Sequence, residues 1–303
     1  MSSPEPSLSR TERLTLGILA LAGVLLRLPW ALLSPTPWDD DALYYQSIAD
    51  NIVAGRGAVT DTVFILSAPP ASLPAPADLY WMPLPSRVIV PLTAAFGELG
   101  GPLTSALLGA LLGPLAWALA RTVPGISRQT ATLAGVMAIL GGYHLRLLAT
   151  ADCYALAAAL GGVAFWAVAK ERAGVVAACA VGLILARSDG VLMVAALAAG
   201  LSLRGAVGVL AAGGATAGLW TLRTYLVGGA DALAAKGIAG RALEYRLLFD
   251  GTPLPSSTIG DRIARVGQAM MSALPGYWGL ATLALFAPLV LWGAWQIRDQ
   301  AWA

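Results

Sequence analysis

Charge is what this sequence most lacks. Asp, Glu, Lys and Arg make up 12% of its 303 residues, about half the share of an average soluble domain. So few charges cannot cover a water-facing surface, which excludes an ordinary soluble fold of this length. There is one histidine, His144, so a histidine-based metal centre is excluded. The two cysteines, Cys153 and Cys179, lie in or beside apolar runs. No further ligand is spaced to help them, so they read as packing residues rather than a disulfide or a metal pair. Basic tracts and zinc-finger spacings are missing and the net charge is only +2, so no nucleic-acid partner is expected. No internal repeat is found.

Apolar residues fill the space that charge leaves. They make up 57% of the chain, and the mean hydropathy is +0.71. The 34 glycines and the Ala-rich runs suit helices that approach closely in lipid. A bilayer core about 30 Å thick needs ~20 apolar residues per helix. Eight runs qualify as candidates: 14–33, 102–120, 129–147, 153–169, 173–187, 190–203, 206–226 and 276–297. The fifth and sixth are short for full spans. They either extend further or meet at Ser188, Asp189 and Gly190 partway into the membrane. The first run is too long for a signal-peptide core and lacks a small-residue cleavage site, so it reads as a retained helix. The fold class expected is all-α: a polytopic transmembrane bundle of about eight crossings. Residues 1–13 form a cytoplasmic tail and 14–303 one transmembrane domain.

The short loops orient the bundle. With the N-terminus in the cytoplasm, every short inner connection carries a cation: Arg10 and Arg13, Arg121 and Arg128, Lys170 and Arg172, Arg204, then Arg298. This is the positive-inside pattern. The outer side receives the long segments 34–101 and 227–275, which are too long for simple connectors and read as functional. The first holds a polar helix candidate (40–54), a Pro-rich stretch with Pro69, Pro70, Pro74 and Pro76, and a short apolar piece (86–96). Interfacial helices are therefore expected in the outer loops. The localisation expected is the cell membrane, multi-pass, with the active site on the outer face.

The strongest local signal is Trp38-Asp39-Asp40-Asp41, directly after the first crossing. Adjacent carboxylates repel one another, so they raise pKa values or recruit a cation. One of the three also suits a helix N-cap. In the helix that follows, Asp40, Tyr44, Ser47 and Asn51 share a polar face, and Ala42, Tyr45, Ala49 and Ile52 an apolar one. Such a helix lies along the interface, and Gly55-Arg56-Gly57 ends it. Other ionisable residues stand at outer membrane ends: His144, Arg146, Asp152, Arg187, Asp189 and Arg223. Ions in such places face the bundle interior or a cavity, or form structural pairs. Arg27 falls inside the first apolar run.

These residues carry a resemblance. DDALYYQSIADNIVAGRG (40–57) resembles the first outer loop of the GT-C glycosyltransferases, membrane enzymes that include protein O-mannosyltransferase and aminoarabinose-transferase relatives. Four further pieces follow in order: LYWMPLPSRVIVPLTAAFG (79–97), ATADCYALAAAL (149–160), LARSDGVLMV (185–194), and WTLRTYLVGG (220–229) with LEYRLLFDGTP (243–253). Each is similar to a family element on the outer side. The Asn usual after the Trp-x-x-Arg element is Thr224 here, and many relatives continue with more helices and an outer soluble domain.

The resemblance implies transfer of a sugar from a polyprenyl-phosphate donor to a hydroxyl on a lipid, glycan or protein acceptor. The leaving lipid phosphate needs no acid, so the demands are a base for the acceptor hydroxyl and positive charge for the phosphate. Asp40 is the expected base, with Asp41 as second choice. Tyr44, Asp152, Arg187, Asp189, Arg223, Lys236 and Tyr245 are expected to bind substrate, with Arg187, Arg223 and Lys236 at the phosphate. An optional divalent cation would rest on Asp40 and Asp152. The alternative function is a polytopic transporter or lipid flippase. It too needs charges in a cavity, but many transporters show repeats or matching broken helices, and neither is found. A purely structural subunit would leave the charged outer loops unexplained.

Overall fold

The computed structural model describes residues 8–33, 40–62, 70–79, 81–140, 145 and 148–249. The candidate span 276–297, most of the loop 227–275, His144, Arg146 and the side chains of Asp40, Lys236 and Tyr245 lie outside what is described. The structure is mostly helical (76%), with one pair of two-residue strands among the described residues. Three helices are long and apolar enough to cross a membrane. This is the composition of an all-α bundle of membrane type.

Helix α1 runs over Arg10–Leu33, starting four residues before the apolar run. A capping box explains the early start. The Ser9 hydroxyl accepts from the Glu12 N–H at 3.3 Å, and the Glu12 carboxylate accepts from the Ser9 N–H at 2.9 Å. Helix α2 covers Asp40–Val53 and ends at Gly55 and Gly57, both with positive φ (74° and 81°). Strands β1 (Val59–Thr60) and β2 (Ala75–Pro76) pair antiparallel. Together with residues 77–79 they form a strap over α2.

Helix α3, Leu84–Phe96, has Pro83 at its N-cap and Pro85 in its first turn, where a missing N–H costs nothing. The sequence places only a short apolar piece there. The helix breaks at Gly97 (φ 60°, ψ −133°), a conformation open to glycine, and the chain re-enters as α4, Gly100–Ala110, and α5, Leu112–Ala120. Together α4 and α5 reach ~31 Å at 1.5 Å per residue, enough for a crossing. Helix α6 is Arg128–Ile139, capped by the Ser127 hydroxyl. Next come α7 (Tyr154–Ala169), α8 (Ala173–Ala186) and α9 (Gly190–Ala199). Helix α10, Leu203–Phe249, is interrupted at Gly229 (φ 71°, ψ −171°). The chain divides into two units, Met1–Lys236 and Gly237–Ala303. Of the second, 237–249 is described, and it is helical.

In the first unit α1 packs on α4, α5 and α6, and α7 packs on α4, α5, α8 and α9. Ala164, Ala167, Val176, Ala180, Leu183, Val194, Leu197 and Val209 form one buried core among α7 to α10. The outer faces stay apolar. On α1, Leu14, Ile18, Leu21 and Leu25 are 57–62% exposed, a greasy stripe that water would penalise and lipid would not.

The two ends of the bundle differ in charge. Arg121 and Arg128 both reach Glu12 (3.9 and 3.3 Å), so the start of α1 meets the α5–α6 loop. Close approach of Gly101 to Ala151 and of Gly162 to Leu115 sets α4 and α5 parallel to α7. Lys170 and Arg172, which follow α7, therefore lie at that same end. Ala173 touches Gly205, which adds Arg204. The opposite end carries α2, the strap and most of the carboxylates.

Candidate active site

Three of the helices that meet this opposite end are short. α7, α8 and α9 have 16, 14 and 10 residues, or ~24, ~21 and ~15 Å. By contrast α1 (24 residues) and the apolar part of α10 (27 residues) reach ~36 and ~40 Å. Irregular chain leads into α7 at this end. Residues 148–153 are non-helical, and each is at most 6% exposed. Irregular backbone at membrane depth is tolerated only inside protein or against a cavity. Arg27 packs against Gly109, as Leu148 of this chain does. It is 1% exposed and donates to the carbonyls of Gly23 (3.2 Å) and Ile139 (3.4 Å). Ile139 is the last residue of α6, where carbonyls lack partners.

Helix α2 packs over this irregular chain. Tyr44, Tyr45, Ile48 and Ala49 are buried with Ile89, Ala151 and Cys153. On the polar face of α2, Tyr44 and Asn51 are buried rather than open at an interface. That face is covered by the strap, because its hydrogen bonds are made there. The Ser47 hydroxyl accepts from the Asp61 N–H at 3.0 Å, and Asn51 donates to the Asp61 carboxylate at 2.9 Å. Asn51 also accepts from Arg56, which pairs with Asp61 at 3.5 Å.

Two polar groups result. The first gathers Asp41, Tyr45, Asp152, Cys153, Tyr154, Arg187 and Asp189 around the N-terminal end of α2. Asp152 is 4% exposed, and its carboxylate accepts from the Cys153 N–H. The Arg187 fork holds Asp189 by two hydrogen bonds (2.8 and 2.9 Å). A third N–H of Arg187 points at the Cys153 sulfur (3.3 Å), and the guanidinium lies 5.0 Å from the Tyr154 ring centre. The bidentate contact lowers the pKa of Asp189 and raises that of Arg187. Tyr45 is held neutral, first by burial and then by the nearby carboxylates of Asp152 and Asp41. Cys153 and Cys179 are free and buried.

The second group centres on Asp78. Its N–H donates to the Tyr44 hydroxyl at 2.8 Å, and its carboxylate pairs with Arg87 at 2.5 Å. Arg223 donates to the carbonyls of Asp78 (3.2 Å) and Ala77 (3.0 Å) and stacks over Trp220. Burial raises the pKa of Asp78, against the opposing pull of Arg87 and Arg223.

No family model, curated protein or solved structure matches this chain. The site therefore rests on its own chemistry. Of the residues that the sequence singles out, Asp41, Asp152, Arg187 and Asp189 share the first group, and Tyr44 and Arg223 belong to the second. Asp40, Lys236 and Tyr245 are helical by backbone. The sequence reading missed Tyr45, Asp78 and Arg87. Arg87 lies within a stretch it quoted but received no role. Asp78 precedes that stretch by one residue, in a Pro-rich segment where Asp reads as a turn former. For a divalent cation, the described residues hold no group of three or more His, Cys, Asp or Glu. The expected cation ligands were Asp40 and Asp152, and the side chain of Asp40 lies outside the described residues.

Proposed function

We propose that this chain is a polytopic membrane glycosyltransferase of GT-C type that moves a sugar from a polyprenyl-phosphate donor to a hydroxyl acceptor. One observation carries the reading: ionisable residues from three distant segments, Asp41, Asp152 and Arg187, gather near Tyr45 and Cys153 among the apolar helices, and the reading puts the donor recess there. Charged groups at such depth are costly and face an internal site. The cation-rich end opposite the recess supports a cytoplasmic placement for that end, and so an outward recess, with about eight crossings in the whole chain. A lipid-borne donor suits the site, because its tail can stay in the bilayer while its phosphate and sugar enter from the side.

In the reaction a carboxylate at the start of α2 takes the proton of the acceptor hydroxyl. Asp40 is the first choice and Asp41 the second. The acceptor oxygen bonds to the anomeric carbon as the bond from that carbon to the phosphate oxygen breaks. The electron pair leaves with the polyprenyl phosphate, and cations at the recess offset its charge. Arg187, fixed by Asp189 and stacked on Tyr154, is preorganised for that task. Arg223 holds the strap with two N–H groups, and Lys236 would add a further cation.

The test is transfer from a radiolabelled polyprenyl-phosphate sugar by purified protein. Asp40→Asn should lower turnover by ~10²–10⁴ with normal membrane insertion. Near-normal turnover of Asp40→Asn beside an inactive Asp41→Asn would move the base one residue along. Full activity of both would remove the carboxylate mechanism.

A further inference from the structure

Asp78 is the point where four separate pieces of the chain meet. It is fully buried (0% exposed) and has a positive φ of 61°, a conformation that side chains other than Gly, Asn and Asp seldom adopt. Its N–H engages Tyr44 of α2, its carboxylate Arg87 of α3, and its carbonyl Arg223 of α10. Burying a carboxylate is expensive unless it is paired. Here the carboxylate pairs with Arg87 while the carbonyl takes Arg223, so one anion stands beside two cations and the cluster keeps a net positive charge. Arg87 is 34% exposed. Its contacts with Pro83, Ser86 and Asp78 still leave part of a five-donor fork, as do the two donated by Arg223. A strained, buried anion that aligns two partly exposed cations is placed to aim them at something else.

We propose that Asp78 is a positioning residue: it sets Arg87 through its carboxylate, and Arg223 through its carbonyl, so that both guanidinium groups converge on the phosphate of the lipid donor. This rests on the donor class proposed above and adds Arg87 to the phosphate site. The two arginines lie far apart in the sequence, on α3 and α10. Without Asp78, like charge would drive them apart.

The sign of one substitution separates positioning from neutralisation. Asp78→Asn keeps the backbone contacts and tolerates the positive φ, but loses the charge that holds Arg87. If Asp78 only cancelled charge, its removal would strengthen anion binding. A positioning role requires the opposite. The measurement is binding of farnesyl phosphate and of farnesol to the full chain in nanodiscs. Wild type should prefer the phosphate. Asp78→Asn should weaken phosphate binding about tenfold, a typical coupling between neighbouring charged residues, and leave farnesol binding unchanged. Arg87→Gln should do the same, and the double variant should be no worse than Arg87→Gln alone. Tighter phosphate binding by Asp78→Asn, equal loss for both ligands, or additive losses in the double variant would each overturn the proposal. A wild type without preference for the phosphate would instead overturn the donor reading, and this inference with it.

Discussion

Arg187 and Asp189 illustrate how a residue's neighbours decide its role. In sequence they are two ions at the outer end of an apolar run. In the structure Asp189 is the planar partner that fixes the Arg187 fork, and Arg187 lowers the Asp189 pKa below its ordinary 3.8. The pair therefore contributes stability above pH 3.8, which is lost as pH falls through the lower folded value. Asp189 is 57% exposed, so the contribution is small, at most ~1 kcal/mol. Asp189→Asn should lower the melting midpoint slightly at pH 7. That gap should narrow as pH is taken below 3.8, measured by thermal unfolding in detergent. A gap that widens on acidification would show that the pair does not stabilise by this route. Arg223 makes the complementary point. The sequence marks it as a phosphate cation, but two of its N–H groups hold the carbonyls of Ala77 and Asp78.

Packing between elements depends on small residues as much as on ions. Helix α1 meets α4 where Gly23 faces Ala110. A Cβ at Gly23 would lie 2.8 Å from the Ala110 Cα and 2.9 Å from its carbonyl oxygen. The same helix has Gly17, where a Cβ would meet nothing within 4 Å. Gly23→Leu should cost ~1–3 kcal/mol through overpacking and lower the midpoint of thermal unfolding. Gly17→Leu should leave it equal or slightly higher, since glycine is a poor helix former. Equal effects at both positions would mean that the α1–α4 contact is not close. Helix α2 teaches a different lesson. Its amphipathic pattern is legible in sequence and correctly marks a helix, but both faces are buried. The strap supplies the hydrogen bonds that water would otherwise provide to Ser47 and Asn51.

The first unit has a cation-rich end and, opposite it, an end rich in carboxylates, joined by apolar helices. If the cation-rich end is cytoplasmic, Pro70→Cys should react with an impermeant thiol reagent added outside sealed cells, and Pro124→Cys should not. Both belong in a background lacking Cys153 and Cys179. Labelling at 124 but not at 70 would invert the molecule and move the recess to the cytoplasmic face. The membrane character was legible from hydropathy, because a lipid-facing surface must be apolar along its full length. Helix extent was less so. α1 begins early through a side-chain cap, and α3 is a helix where the sequence offered a short apolar piece behind prolines.

The sequence alone determined the helical class, the apolar spans of α1, α4–α5 and α10, and the helix that follows the Asp triplet. Those features depend on local composition and period, which residues within one turn or one span can specify. Only the tertiary structure decided which ions meet. Asp78 touches Tyr44, Arg87 and Arg223, the last at a separation of 145 residues. Asp152 enters the site on irregular chain that is tolerated only because α2, α3 and α4 bury it. Such pairings follow from how the chain returns through the bundle. No local pattern encodes them, because the free energy that selects them comes from burial shared among distant segments.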